Sequence, residues 1–531
     1  MSTLLTLLEV GLMALTAAPA DTVPLYDNLG DHHYEISTDN PLTQQYFDQG
    51  LRLVWAFNHA EAIRSFQEAA RLDPECAMCW WGIAYAYGPN INAPMDSTSG
   101  VAAWNAVQKA LELKEHAGDR EDAFIDAVAT RYAEVPPAER AALDSAWARA
   151  MDEVAERYPD DLEAATVSAD ARMNLSPWFY WTHDGELRPG HDVTLDRLER
   201  AIAADSTHPG ACHLYIHAVE ATEPERAVPC AERLAGLMPG AGHIVHMPAH
   251  IYIRVGRYND AIEANVHAVH TDETYIMDTG PTGIYPAFYY PHNYHFLSFA
   301  SMHAGQAGRA LETARESAAK MDHGLARQFG PEAARMLAHP HLTLIAFGRW
   351  EETLAEPQPP ADIPFATGLV HYARGVANAA LERFDDAQAE LEAVSGIAAE
   401  FTEGWPATVM QIAIHSLNGD IAYRQGDYEA AIAHYEQAKE LEDTLIYTEP
   451  AYWNRPIRRD LGAALLAAGR PAEAETAYAE ELGKFPDNGW SLYGIIQAFE
   501  AQGKAAEAEA ARERFQLAWE KADISLTASR L

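Results

Sequence analysis

Eleven of the 23 histidines fall between His208 and His303, and their spacing is regular. They group as His213-x3-His217, His243-x2-His246-x3-His250 and His292-x2-His295, each on a stretch of helix-forming residues. Side chains three or four residues apart share one face of a helix, so each group presents its imidazoles together. Neutral imidazole is the commonest nitrogen ligand of a metal ion. An all-imidazole set suits copper, zinc or iron and disfavours magnesium and calcium. Seven imidazoles exceed the three or four that one zinc ion takes. The count therefore predicts one or two ions, copper or zinc first and iron third, with any surplus imidazole orienting ligands or moving protons. Two other readings use the same residues: a groove that hydrogen-bonds an anionic or aromatic ligand, and a structural network.

Carboxylates and phenols stand close by in the sequence. Glu220 follows His217 by three, and Asp272 and Glu273 come just after His270. Such carboxylates commonly orient a ligand imidazole through its second nitrogen. Tyr252, Tyr285, Tyr289 and Tyr290 are placed to stack on a substrate or supply a phenol. Glu220, Asp272, Glu273 and Tyr290 are thus the candidate acid–base groups. The chain holds no HExxH, no GxSxG, no Walker loop and no Rossmann fingerprint, so nucleophilic and nucleotide chemistry have no support.

The elements that must position these residues repeat. Over residues 43–76, Tyr46, Gly50, Ala62, Phe66, Ala69 and Pro74 stand at positions 4, 8, 20, 24, 27 and 32 of a unit. Small residues at 8 and 20 let two helices approach, a large one at 24 fills the space between them, and proline ends the second. Comparable units run over 208–241, 242–275 and 291–324 and from near 412 and 455, with weaker ones in 120–160, 161–205, 334–360 and 368–400. This pattern resembles the tetratricopeptide repeat (TPR), a helix pair of about 34 residues, and the resemblance covers most of 40–520. It implies an all-α superhelix, a TPR-type α-solenoid, whose concave groove is lined by the first helix of each pair at positions 2, 5, 9, 12 and 13. His243, His246 and His250 then occupy positions 2, 5 and 9 of one unit, and His292 and His295 positions 2 and 5 of another. His213 and His217 fall at 6 and 10, one step off the register.

The resemblance implies a groove that binds a peptide or protein partner, and the histidines point to a different occupant. Two functions follow: a metal-binding TPR protein that oxidises or hydrolyses a small molecule or peptide, and a non-catalytic scaffold for a partner segment. Residues 1–20 read as an export signal ending at Ala18-Pro19-Ala20, although Glu9 interrupts the apolar run and no Lys or Arg precedes Arg52. Four cysteines are compatible with an oxidising compartment, and the expected location is the periplasm or outside the cell, with the cytoplasm as the alternative. Cys76 and Cys79, and Cys212 and Cys230, form disulfides or remain thiols. Residues 21–355 read as one lobe carrying the histidine groove, 356–366 as a linker, and 367–531 as a second lobe with a capping tail. The net charge of -40 argues against nucleic acid and anionic membrane surfaces as partners, and no segment reads as a stable membrane span.

Overall fold

Helix boundaries follow local signals. Asn40 caps Pro41–Trp55 by accepting from the Leu42 N–H, and Pro41 sits where a missing N–H costs nothing. His208 does the same for Pro209–Val219, accepting from Ala211 through its ring. The computed structural model describes residues 23–95, 97–280 and 284–531. The expected export segment at 1–20 lies outside them. Among the described residues there is no strand, only the isolated bridges Asn90–Ala93 and Trp181–Leu187. No described helix is long and apolar enough to cross a membrane.

Each unit read from the sequence folds as an antiparallel helix pair. The first is Pro41–Trp55 with His59–Leu72. The histidine-bearing units are Pro209–Val219 with Val228–Leu237, Gly242–Arg254 with Tyr258–Thr279, and Tyr290–His303 with Ala307–Lys320. The close approach predicted for position 8 is real: a Cβ on Gly50 would lie 2.6 Å from the Phe66 ring, and one on Gly419 2.6 Å from Tyr435. Eight turns between paired helices share one hydrogen-bond pattern, in which successive N–H groups reach carbonyls three and five residues back. The first of those two residues is left-handed. It is Gly256, Gly305, Gly348, Gly426, Gly469 or Gly503 in six turns, Glu382 in the seventh and Phe57 in the eighth.

Two apolar cores result, one built from Leu29 to Ala304 and one from Met321 to Ala511. Side-chain packing thus divides between 304 and 321, ahead of the Glu356–Pro360 stretch. A third cluster, with Met302, Phe347, Trp490 and Leu526, joins the last repeat and the tail to units in the middle of the chain. Trp490 donates to the Met302 carbonyl, and Asp523 accepts from the N–H groups of Ala307 and Gly308. The tail follows the last helix, where Trp519 donates to the Ile524 carbonyl. It turns back into the groove of the second lobe, where Ser529 meets Tyr478, and Arg530 is buried against Asp420 and Tyr435. Cys76–Cys79 and Cys212–Cys230 are both disulfide-bonded.

Candidate metal centre

Three consecutive first helices bring six of the seven predicted imidazoles together. Pro209–Val219 supplies His213 and His217, and Tyr290–His303 supplies His292. His243, His246 and His250 come from a helix that is broken rather than continuous. Pro248 has no N–H to give, so Gly242–His246 ends at Met247 and a new helical run starts at Pro248. The six rings form two triads. One ligand nitrogen from each of His213, His217 and His243 lies within 4.8 Å of the other two, and the same holds for His246, His250 and His292. The triads adjoin: ring centroids of His217 and His250 are 5.2 Å apart, and those of His243 and His246 5.8 Å.

Hydrogen bonds decide which nitrogen of each ring is free. His213 Nδ1 is 2.6 Å from the Trp55 carbonyl, which can only accept, so Nδ1 carries the proton. His217 and His250 donate from Nδ1 to the two oxygens of Glu220, at 3.0 and 2.6 Å. His246 donates to Asn265 Oδ1 at 2.7 Å, an oxygen fixed in place because Asn265 Nδ2 bonds the Ala261 carbonyl. All four Nε2 atoms therefore carry lone pairs. Among the described residues, those of His213 and His217 are buried without a partner, as are both nitrogens of His243. Those of His246 and His250 face each other at 2.9 Å. Two lone pairs at that distance repel unless a proton or a cation sits with them.

Burial holds the imidazoles of His213, His217, His243, His246 and His292 below their ordinary pKa, and neighbouring imidazoles add to it. They are neutral near pH 7, the form that ligates. Burial alone would raise the Glu220 carboxyl, but His250 and His217 outweigh it and bring it down to about 2. One carboxylate thus orients a ring of each triad from behind. Each triad also has its own phenyl ring. Phe57 lies 4.5, 6.2 and 5.3 Å from His213, His217 and His243, and Phe296 lies 4.4, 4.5 and 5.1 Å from His246, His250 and His292.

Four candidates lie elsewhere. His295, one residue short of a full turn from His292, turns toward the next helix and packs on His339 at 4.4 Å. Asp272 is buried beneath the cluster, accepting from Tyr285 and Asn293 at 2.8 Å each, and burial pushes its carboxyl up to about 7. The Tyr285 hydroxyl also accepts from the His243 N–H, so Asp272 braces the backbone rather than an imidazole. Glu273 accepts from Tyr290 and Tyr294, at 3.0 and 2.9 Å, and those phenols also face Lys320. Their partners are one another. Periodicity missed Trp55, Phe57, Asn265 and Phe296, because a backbone carbonyl, a turn residue and a second-helix amide carry no histidine-like signal. Spacing also missed a group of His32, His208 and Glu163. There His208 Nδ1 accepts from Ala211, so its Nε2 carries the proton and faces Glu163 at 3.2 Å. That group is hydrogen-bonded, not a set of free donors.

Beside the Glu220 side of the cluster, the loop around Trp178 and residues 442–453 enclose a cleft of about 770 Å³. Glu449 lines it and stands 3.6 Å from His250. Burial, and then the charge of Glu220, raise its carboxyl well above the ordinary range.

Residues 409–487 match the family model of the tetratricopeptide repeat. That segment is built of tetratricopeptide repeats. The histidine-bearing repeats lie outside the matched residues, so the match speaks to the helix pairs and not to the imidazoles. No curated protein matches the chain. Among solved structures, human IFIT1 in a dimer with m7Gppp-AAAA is 14% identical, with 90% of each chain covered and a TM-score of 0.33. Yeast Tom70 is 10% identical, with 89% of each chain covered and a TM-score of 0.29.

Proposed function

We propose that this TPR solenoid is a metalloprotein that holds two transition-metal ions, one on each imidazole triad. The observation that carries this reading is the set of aligned lone pairs, above all the His246 and His250 Nε2 atoms 2.9 Å apart with both Nδ1 protons already committed. A neutral donor set pre-oriented by a carbonyl, an amide and a carboxylate is what a metal site asks of its surroundings. Copper and zinc fit imidazole best, and iron is third. Three protein ligands leave the fourth position of a tetrahedral ion open, as in catalytic rather than closed structural sites. The reaction class is oxidation with copper or iron, or hydrolysis with zinc. Glu220 serves as the positioning carboxylate. The two disulfides support an oxidising compartment such as the periplasm.

The TPR match favours a second reading, a scaffold that takes a partner peptide in the cleft beside residues 442–453. One experiment separates the two. Metal content is measured by plasma mass spectrometry on protein purified without a polyhistidine tag, beside a His246→Ala/His250→Ala variant. About two equivalents of copper, zinc or iron, falling to about one or none in the variant, is the expected result. Protein that is metal-free and takes up none of the three on addition would leave the scaffold reading.

A further inference from the structure

Phe57 stands where the fold asks for glycine. Its φ is 54°, and six of the seven sister turns with the same hydrogen-bond pair put glycine there. An aromatic side chain at a left-handed position is strained, and such strain is kept where the side chain is needed. The Phe57 ring has nothing to do with closing the turn, because N–H and carbonyl groups do that. It lies instead against all three imidazoles of the first triad.

Two further aromatic rings wall the same triad: Trp178 lies 5.1 Å from His217, and Tyr289 lies 4.9 Å from His243. Trp178 is itself left-handed, at φ 67°. His213, His217 and His243 are all buried. Glu220 stands behind His217 as it stands behind His250, so its charge does not tell the triads apart. An anion entering here would shed its water against three aromatic rings with no exposed imidazole to admit it. The second triad differs, because His292 keeps partial exposure to solvent.

We infer that the two sites are unequal: the first triad exchanges only a small uncharged ligand of the diatomic-gas class, and Phe57 enforces this, while the second also admits anions. The inference rests on the metal reading, and its test is arranged to tell the two apart. The chain is loaded with copper and its metal content counted first. Failure to hold two ions refutes the metal reading and with it this one. Azide is then titrated into the copper(II) form, followed by its charge-transfer absorption, and carbon monoxide into the copper(I) form, followed by infrared spectroscopy. Wild-type protein should take up about one azide but about two carbon monoxide molecules per chain, one open position per ion. Phe57→Gly suits the turn, removes the ring and should raise azide to about two, while Phe57→Tyr keeps the ring and should hold it at about one. Two azides in the wild type, or no gain in Phe57→Gly while two ions remain bound, would overturn the assignment.

Discussion

At the scale of single residues, the centre depends on who holds each proton. Glu220 is the residue with most leverage, because its two oxygens accept from His217 and His250 and so fix one ring in each triad. Glu220→Gln keeps the shape but turns an N–H2 group toward one of those N–H donors. That ring must flip its tautomer or swing away. Metal affinity should fall about 10–100-fold, as for other partners of ligand imidazoles, read by competition with a chromophoric chelator. An unchanged affinity would show that the triads are held by packing alone. Glu220 was legible in the sequence because it follows His217 by three. Asn265 was not, since it sits on the paired helix and shares only tertiary proximity with His246.

At the scale of elements, Pro248 removes one backbone hydrogen bond between His246 and His250, but Met247 keeps helical φ and ψ, so the two imidazoles stay on one face and His250 meets Glu220 and His246 together. Pro248→Ala restores an N–H and removes a helix breaker, so the metal-free chain should keep its stability within about 1 kcal/mol or gain slightly. Its metal affinity should change little, because the imidazoles already follow helical spacing. Thermal unfolding followed by circular dichroism, beside a metal titration, checks both halves. A large drop in affinity would show that the missing hydrogen bond aims His250. The proline is visible in the sequence, but whether a helix kinks or ends there depends on what packs beside it.

At the scale of the whole molecule, the groove of the second lobe is filled by the chain's own tail. Arg530 and Arg455 are buried with Asp420 and Asp460 in the groove of the second lobe. Burial alone would raise the Asp420 carboxyl, but Arg455 and Arg530 outweigh it and bring it down to about 2. A folded pKa below the ordinary carboxylate value of about 3.9 gives stability that is full above that pH. It is lost as pH falls toward about 2, up to about 2–3 kcal/mol for this group. Arg530→Ala removes one partner of a buried charge and should cost about 3–5 kcal/mol. It should also move acid unfolding to higher pH, measured by far-ultraviolet circular dichroism. Coincident acid curves for variant and wild type would show that the tail's guanidinium does not hold this carboxylate.

The amino-acid sequence by itself determined the helix pairs, their period and the face on which His213, His217, His243, His246, His250 and His292 stand. Those follow from local geometry: 3.6 residues per turn, small residues where helices touch, and proline or a left-handed residue where they end. Only the tertiary structure decided that these six rings divide into two triads, that His295 turns to His339, and that Glu273 and Tyr290 pair with each other. It alone placed the Trp55 carbonyl and the Phe57 ring against histidines more than 150 residues away. Those relations depend on how successive helix pairs rotate about the superhelix axis. A repeat pattern specifies each pair but leaves that rotation to the summed packing between pairs.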